Sequence, residues 1–382
     1  DQRVVIQASG DIVDNNTANN AAVEAIGGEV ILVGANIGDV TLSPGAGTPA
    51  TGTSFEIEAE DLAFDASGDV NVRDLDALVD DGLDIETIQY ANKTGGTTTV
   101  NGDGGDVCIE VVNGSLDVNS RINAGNVALA TRNSDSGVPG DVDGDINLNG
   151  DNAGENITAS GNVSLESARG IVDTDSGFGE IQAAELVMTA TTGIGNTAEI
   201  QTDVVSVAAT TTAGDINIAD GVLSNDRSGL FVAENVVSLK GGVDVDGITA
   251  AGDICIDVVD NLVVEADIIA GENVALEAGN NMTLGDTLGG GSTQTGVIIA
   301  GNSLDVNAVE RSTVSIEAGG DVLDGNGEDM SDNNSDGIAD GVNVVAHSTA
   351  GDASAATRSG DLVVTSGGSF GEADFTNPAA PA

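Results

Sequence analysis

The stretch AAGDICIDVV at 250–259 sets a small residue, a glycine and an acid ahead of apolar residues at every second position. Close copies recur along the chain: ASGDIV at 8–13, ASGDVNV at 66–72, ASGNVSL at 159–165, TAGDINI at 212–218 and IAGENVAL at 269–276. Repetition of one short phrase constrains the fold more than any single residue does. The phrase glycines Gly252 and Gly271 lie 19 apart, Gly301 and Gly319 lie 18 apart, and Gly10, Gly68 and Gly125 are separated by 58 and 57, each about three times 19. Units of that length hold two or three short strands and cannot bury an apolar face alone. They must stack on their neighbours. The expected fold is all-β: a parallel β-solenoid (β-helix) with coils of roughly 19 residues and loop insertions. An array of β-sandwiches with the same composition is the competing architecture.

Runs such as ELVMTA at 185–190, VVSVAA at 204–209 and NLVVEA at 261–266 have the length and β-branched content of strands. In GDINI, Ile216 and Ile218 share one face while Asn217 points to the other. Glycine, Asn and Asp between the runs supply tight corners, with the Asp or Asn of the phrase on the wet side. The expected organisation is a β-rich solenoid region with insertions over 1–110, solenoid repeats over 111–364 with an acidic insertion at 324–343, and a C-terminal tail at 365–382.

Charge narrows the function classes. The chain has 63 acids against 10 bases, a formal charge of −53, and its only lysines are Lys93 and Lys240. A nucleic acid or an anionic membrane surface would be repelled, so neither is an expected partner. Cations are the natural counter-species. Aromatic residues make up 2% of the chain, a level seen in disordered segments, but 40% of residues are hydrophobic and fall in alternating runs, enough for a core. No apolar run reaches the 18 residues needed to span a membrane, so no membrane insertion is expected. DQRVVIQ at the start lacks the layout of a signal peptide, which reads as one already removed from a secreted protein.

AELVMTATTGIGNTAEIQTDVVSVAATTTAGDINI at 184–218, with its T-T-G-I-G turn and following strand, resembles the repeats of filamentous-haemagglutinin-like proteins, as do GNVSLESARGIV at 161–172 and GNVALEAGNNMTL at 272–284. The likeness covers about 120–350. It implies a right-handed β-helix acting as a secreted bacterial adhesin, fibre or toxin stalk, at an extracellular or cell-surface location. The secretion domain usual in that family is not visible.

The sharpest local motif is DNNSDGIAD at 332–340. Asp332, Asn334, Asp336 and Asp340 put side-chain oxygens at positions 1, 3, 5 and 9, with the Ile338 carbonyl at position 7 and Gly337 for the turn. Calcium takes six to eight hard oxygens from a loop that folds back on itself, so this spacing predicts a Ca²⁺ site. Position 12 is Asn343 where an EF-hand has a bidentate Glu. A weaker candidate is DASGDVNVRDLD at 65–76, with Asp65, Ser67, Asp69 and Asp76, although Val70 stands where such a loop needs glycine and the same letters fit the solenoid phrase.

Catalytic constellations are not apparent. The only histidine is His347, the bases are scattered singly, and GDGGD at 102–106 lacks the lysine of a phosphate-binding loop. Cys108 in GDVCIEV and Cys255 in GDICIDV occupy the same place in the phrase and are expected to face outward. In one straight stack they would stand roughly 35–40 Å apart, far beyond the ~6 Å a disulfide allows. Two free thiols is one reading, and a Cys108–Cys255 bond between neighbouring subunits is the other. The leading expectation for function is a non-catalytic structural protein that polymerises with itself through its termini. A monomeric, Ca²⁺-stabilised adhesin stalk and a polysaccharide-active β-helix enzyme are the alternatives.

Overall fold

A computed structural model describes residues 2–15, 21–41, 51–75, 82–91, 97–100, 102–132, 144–149, 156–174, 181–221, 230–232, 236–237, 239, 244–284, 298–301, 312–324, 344–346 and 361–366. Every regular element among them is a β-strand, and the chain is a parallel β-solenoid. Contacts divide it into two units. The first holds Asp1–Thr191, Thr197–Gln201 and Val237–Asp244, and the second holds Thr192–Asn196, Thr202–Val236 and Val245–Ala382.

Coils of the second unit each place three short strands on three parallel ladders. Ile248–Ala250, Ile254–Val258 and Leu262–Val264 form one coil, and Ile268–Ala270, Val274–Ala278 and Met282–Leu284 lie in register upon it. The first unit is built the same way. Val107–Val111, Leu116–Val118 and Ile122–Ala124 stack on Val70–Asp74, Leu83–Ile85 and Gly102–Asp103. Coils without insertions advance by 20 residues, as in Val107↔Val127 and Ile254↔Val274. Glycine spacing understates this by one. Ala251 opposes Gly271 and Gly252 opposes Glu272, as the flanking register requires, so the glycine of IAGEN sits one place earlier in its coil than that of AAGDI. Longer advances, such as Val127↔Val163 and Val274↔Val314, carry the insertions.

Inward positions form stacked rows of Ile, Val and Leu: Ile254, Val274 and Val314 in one, Leu262, Met282 and Val322 in another, all at most 1% exposed. Each position meets its own counterpart about 4.8 Å away, a spacing that flat β-branched side chains fill well. Burying one such side chain contributes about 1.5–3 kcal/mol, so a core almost without aromatic rings is sufficient. Two antiparallel hairpins interrupt the first unit: Asp39–Thr41 with Thr51–Thr53, and Ile88–Ala91 with Thr97–Val100. Ile88 and Tyr90 of the second hairpin lie over Ile31 and Ala63.

Candidate functional site

The polar half of the repeated phrase builds a ladder at one corner of the coil. In the first unit Asn36 Oδ1 accepts the Asp69 amide at 2.9 Å, Asp69 Oδ1 the Asp106 amide at 3.1 Å, Asp106 Oδ1 the Asn126 amide at 3.1 Å, and Asn126 Oδ1 the Asn162 amide at 2.9 Å. The second unit repeats the arrangement: Asp215 Oδ1 accepts from Asp253, Asp253 Oδ1 from Asn273, and Asn273 Oδ1 from Thr313, each at 2.8–2.9 Å. Each bond satisfies a corner amide that no strand can reach, for about 1 kcal/mol net. The phrase glycine has a steric task here. A Cβ on Gly252 would run into Asp215 Oδ1, and one on Gly161 into Asn126 Oδ1. Gly214, the glycine of TAGDINI, also has a positive φ of +82°.

This ladder bears on the weaker calcium candidate. Asp69 uses its amide and one carboxylate oxygen within the ladder. Ser67 Oγ donates to the Ala35 carbonyl at 3.4 Å, and Asp65 stands opposite Asp103 on the neighbouring strand. Asp76 lies outside the described residues, as do Asp332, Asn334, Asp336, Ile338 and Asp340 of the sharper motif, and His347. Among the described residues no group of three or more His, Cys, Asp or Glu is arranged to hold a metal ion.

Charged side chains form further rows on the outer faces. In the first unit Arg73 lies between Glu56 (3.5 Å) and Glu110 (3.1 Å), and Arg132 between Glu110 (3.7 Å) and Glu166 (2.8 Å). The matching row of the second unit runs Ala219, Asp257, Glu277, Glu317 and Thr365. That unit has no Arg or Lys among its described residues. A different row of the first unit stacks Glu29, Asp61, Asp84 and Asp117 in register. Burial, and then the Asp117 carboxylate beside it, raise the Asp84 pKa to about 7. Asn147 Nδ2 closes the row by donating to Asp117 Oδ1 at 2.5 Å.

One carboxylate is buried at the same place in both units. Asp74 Oδ1 accepts the Ala59 amide at 3.3 Å, and Asp220 Oδ1 accepts the Val204 amide at 3.1 Å and the Thr202 hydroxyl at 2.7 Å. Burial pushes Asp220 up to about 6, against the pull of those two donors.

The cysteines sit in matching outward rows. In the first unit the row is Asn71, Cys108, Ala128, Ser164 and Val187. In the second it is Asn217, Cys255, Ala275, Ser315 and Val363, the same five residue types in the same order. The outward direction read from the sequence holds, since Val107, Ile109, Ile254 and Ile256 all point into the core. Neither cysteine is in a disulfide. Cys108 is only 1% exposed and packs with Leu239 and Ala128, so its thiol is covered against a thiol from another copy. The spacing of 147 between Cys108 and Cys255 is also that between Lys93 and Lys240. Ala128 and Ala275 also lie 147 apart, whereas Val187 and Val363 lie 176 apart, so the two rows correspond coil by coil and not by a fixed period.

Searches against family models, curated proteins and solved structures find no match to this chain.

Proposed function

We propose that this chain is a non-catalytic structural protein, the self-assembling subunit of an extracellular fibre, sheath or surface filament. The observation that supports this most is the uniformity of the coils. They lie on one another in register through parallel ladders of one repeated pattern, Val274–Ala278 on Ile254–Val258 and Val107–Val111 on Val70–Asp74. A parallel strand with an open edge is a template for another strand. The acidic, lysine-poor surface suits an ion-rich external setting. Calcium belongs to the same proposal as a stiffening ion held by Asp332, Asn334, Asp336, the Ile338 carbonyl and Asp340.

Electron microscopy and sedimentation of the purified 382-residue chain over a concentration series test the reading. Filaments that lengthen with concentration, without any added partner, are expected. Monomers at every concentration would reject it in favour of a single adhesin stalk. The calcium component is tested by limited proteolysis: cleavage within 324–343 should accelerate on chelation, and equal cleavage with and without Ca²⁺ would remove it.

A further inference from the structure

One outward row of the first unit is built from carboxylates. Asp61, Asp84 and Asp117 lie in register on Phe55–Ala66, Leu83–Ile85 and Leu116–Val118. Neighbouring strands of a ladder are about 4.8 Å apart, so ionised groups on this row repel. Asp117 Oδ1 accepts from Asn147 Nδ2 at 2.5 Å and from Asn149 Nδ2 at 3.3 Å. On its other side Asp117 is hydrogen-bonded to Asp84, and two carboxylic groups share such a bond only when one of them carries a proton. The other groups acting on Asp84 are Asp61 and Glu86, and Glu60 and Glu29 act in turn on Asp61. Among the described residues no base is one of them. Arg3 is taken up by Glu29, and Arg169 by Asp145.

The strand that carries Asp84 leads straight into the hairpin of Ile88–Ala91 and Thr97–Val100. That hairpin is a strap, since its Ile88 and Tyr90 lie on Ile31 and Ala63 with Val33 beside them. Its root is fastened to the coils on both sides of Asp84. The Glu86 amide donates to the Leu62 carbonyl at 3.0 Å, and the Thr87 amide to Ser120 Oγ at 2.7 Å. Closure also carries a penalty. The Tyr90 hydroxyl is buried beneath the strap without a hydrogen-bond partner, and water would satisfy it on opening.

We propose that the proton shared by Asp84 and Asp117 latches this strap: it stays closed while the proton is held and lifts when the proton leaves, uncovering Ile31, Ala63 and Val33. Loss of the proton sets two adjacent charges beside Asp61 and Glu86, and the three-residue strand Leu83–Ile85 is pushed from its neighbours. The root of the hairpin moves with it. Burial, and then Asp117, raise the Asp84 carboxyl to about 7 from an ordinary 3.8. An acid raised by closure favours the closed form at low pH, and that preference is lost as pH rises through about 7. The corresponding strands of the second unit turn Val263, Thr283 and Leu323 outward, none of which titrates, so the device belongs to the first unit.

The chain has one tyrosine and no tryptophan, so its intrinsic fluorescence reports on the strap alone. Acrylamide quenching of Tyr90 in the 382-residue chain, followed from about pH 5 to about pH 8.5, should rise roughly threefold or more. The midpoint should fall near 7. Asp84→Asn keeps a donor for Asp117 and removes the charge, so quenching should stay low at every pH. Asp117→Asn should do the same by removing the other charge of the pair. Asp220→Asn, in the second unit, should leave the Tyr90 profile of the parent unchanged. A flat profile in the parent overturns the latch, as does a parent-like rise in both Asp84→Asn and Asp117→Asn. A rise that coincides with loss of the far-UV strand signal would mean unfolding of the whole chain, and it overturns the latch too.

Discussion

The outer faces of the two units start from the same row of small residues and are finished differently. Beside Asn71, Cys108, Ala128, Ser164 and Val187, the first unit sets arginines between its glutamates and seats Leu239 over the row. Beside Asn217, Cys255, Ala275, Ser315 and Val363, the second unit stacks Asp257, Glu277 and Glu317 in register and leaves the row open. Like charges about 4.8 Å apart repel, more so where the face is partly desolvated. Similar cores thus support one face with arginines set between its acids and another that, among the described residues, stacks its acids without Arg or Lys. In a repeat protein the core sets how coils stack, while the outer row sets what each region needs from its surroundings.

The largest expected effect concerns the buried carboxylate common to both units. Asp220 has a folded-state pKa of about 6 against an ordinary 3.8. A raised acid pKa means stability that is full below the unfolded value and is lost as pH rises through the folded one. Asp220→Asn keeps an oxygen for Thr202 and Val204 and removes the charge. It should raise stability near pH 8 by up to about 3 kcal/mol and change little near pH 4. Melting curves of variant and parent that stay parallel across that range would contradict this. Asp84, raised to about 7 in the first unit, adds a loss in the same direction at higher pH.

Next comes the arginine that separates the units. Arg73→Ala removes the cation between Glu56 and Glu110, whose side chains are only 10% and 15% exposed, and leaves Glu110 with Arg132 at 3.7 Å. A cost of about 2 kcal/mol is expected, felt as faster amide exchange in Val107–Val111 and absent from Ile254–Val258. Equal acceleration in both strands would show that the row is not a local device.

Ionic strength should act in the opposite sense. Lowering NaCl from about 1 M lengthens the screening distance from roughly 3 Å to 10 Å or more. Amides of Ile254–Val258, Val274–Ala278 and Thr313–Ala318 should then exchange on the order of tenfold faster, with a smaller change in Val107–Val111 and Val127–Thr131. Uniform acceleration along the chain would remove the distinction between the units.

The smallest effect is a transplant. Glu277→Arg puts a cation between Asp257 and Glu317, imitating the first unit. It should stabilise by about 0.5–1 kcal/mol at low salt and by nothing measurable near 1 M NaCl. A gain that survives high salt would point to packing instead of charge.

Strand content, parallel stacking and the inward set of side chains were legible in the sequence. Period two selects the face of every residue in a strand, and a phrase repeated every coil has no other way to bury it. Asp69, in the phrase ASGDVNV, was recognisable as a corner residue but its place in a hydrogen-bonded ladder was not, because its partners are an amide 37 residues further on and a side chain 33 residues back. The sharper calcium motif at 332–340 lies outside the described residues, so its oxygen spacing remains a sequence argument.

Local chemistry therefore determined the repeating coil: β-branched alternation, a glycine where two backbones approach, and an Asx side chain at the corner. Tertiary packing decided which copies of that coil are covered. Cys108 and Cys255 share the same neighbours in sequence, Val or Ile on either side and Gly-Asp just before. One is sealed beneath Leu239 and the other is partly exposed. No local rule separates them, because the covering residue, Leu239, comes from more than a hundred residues further along the chain.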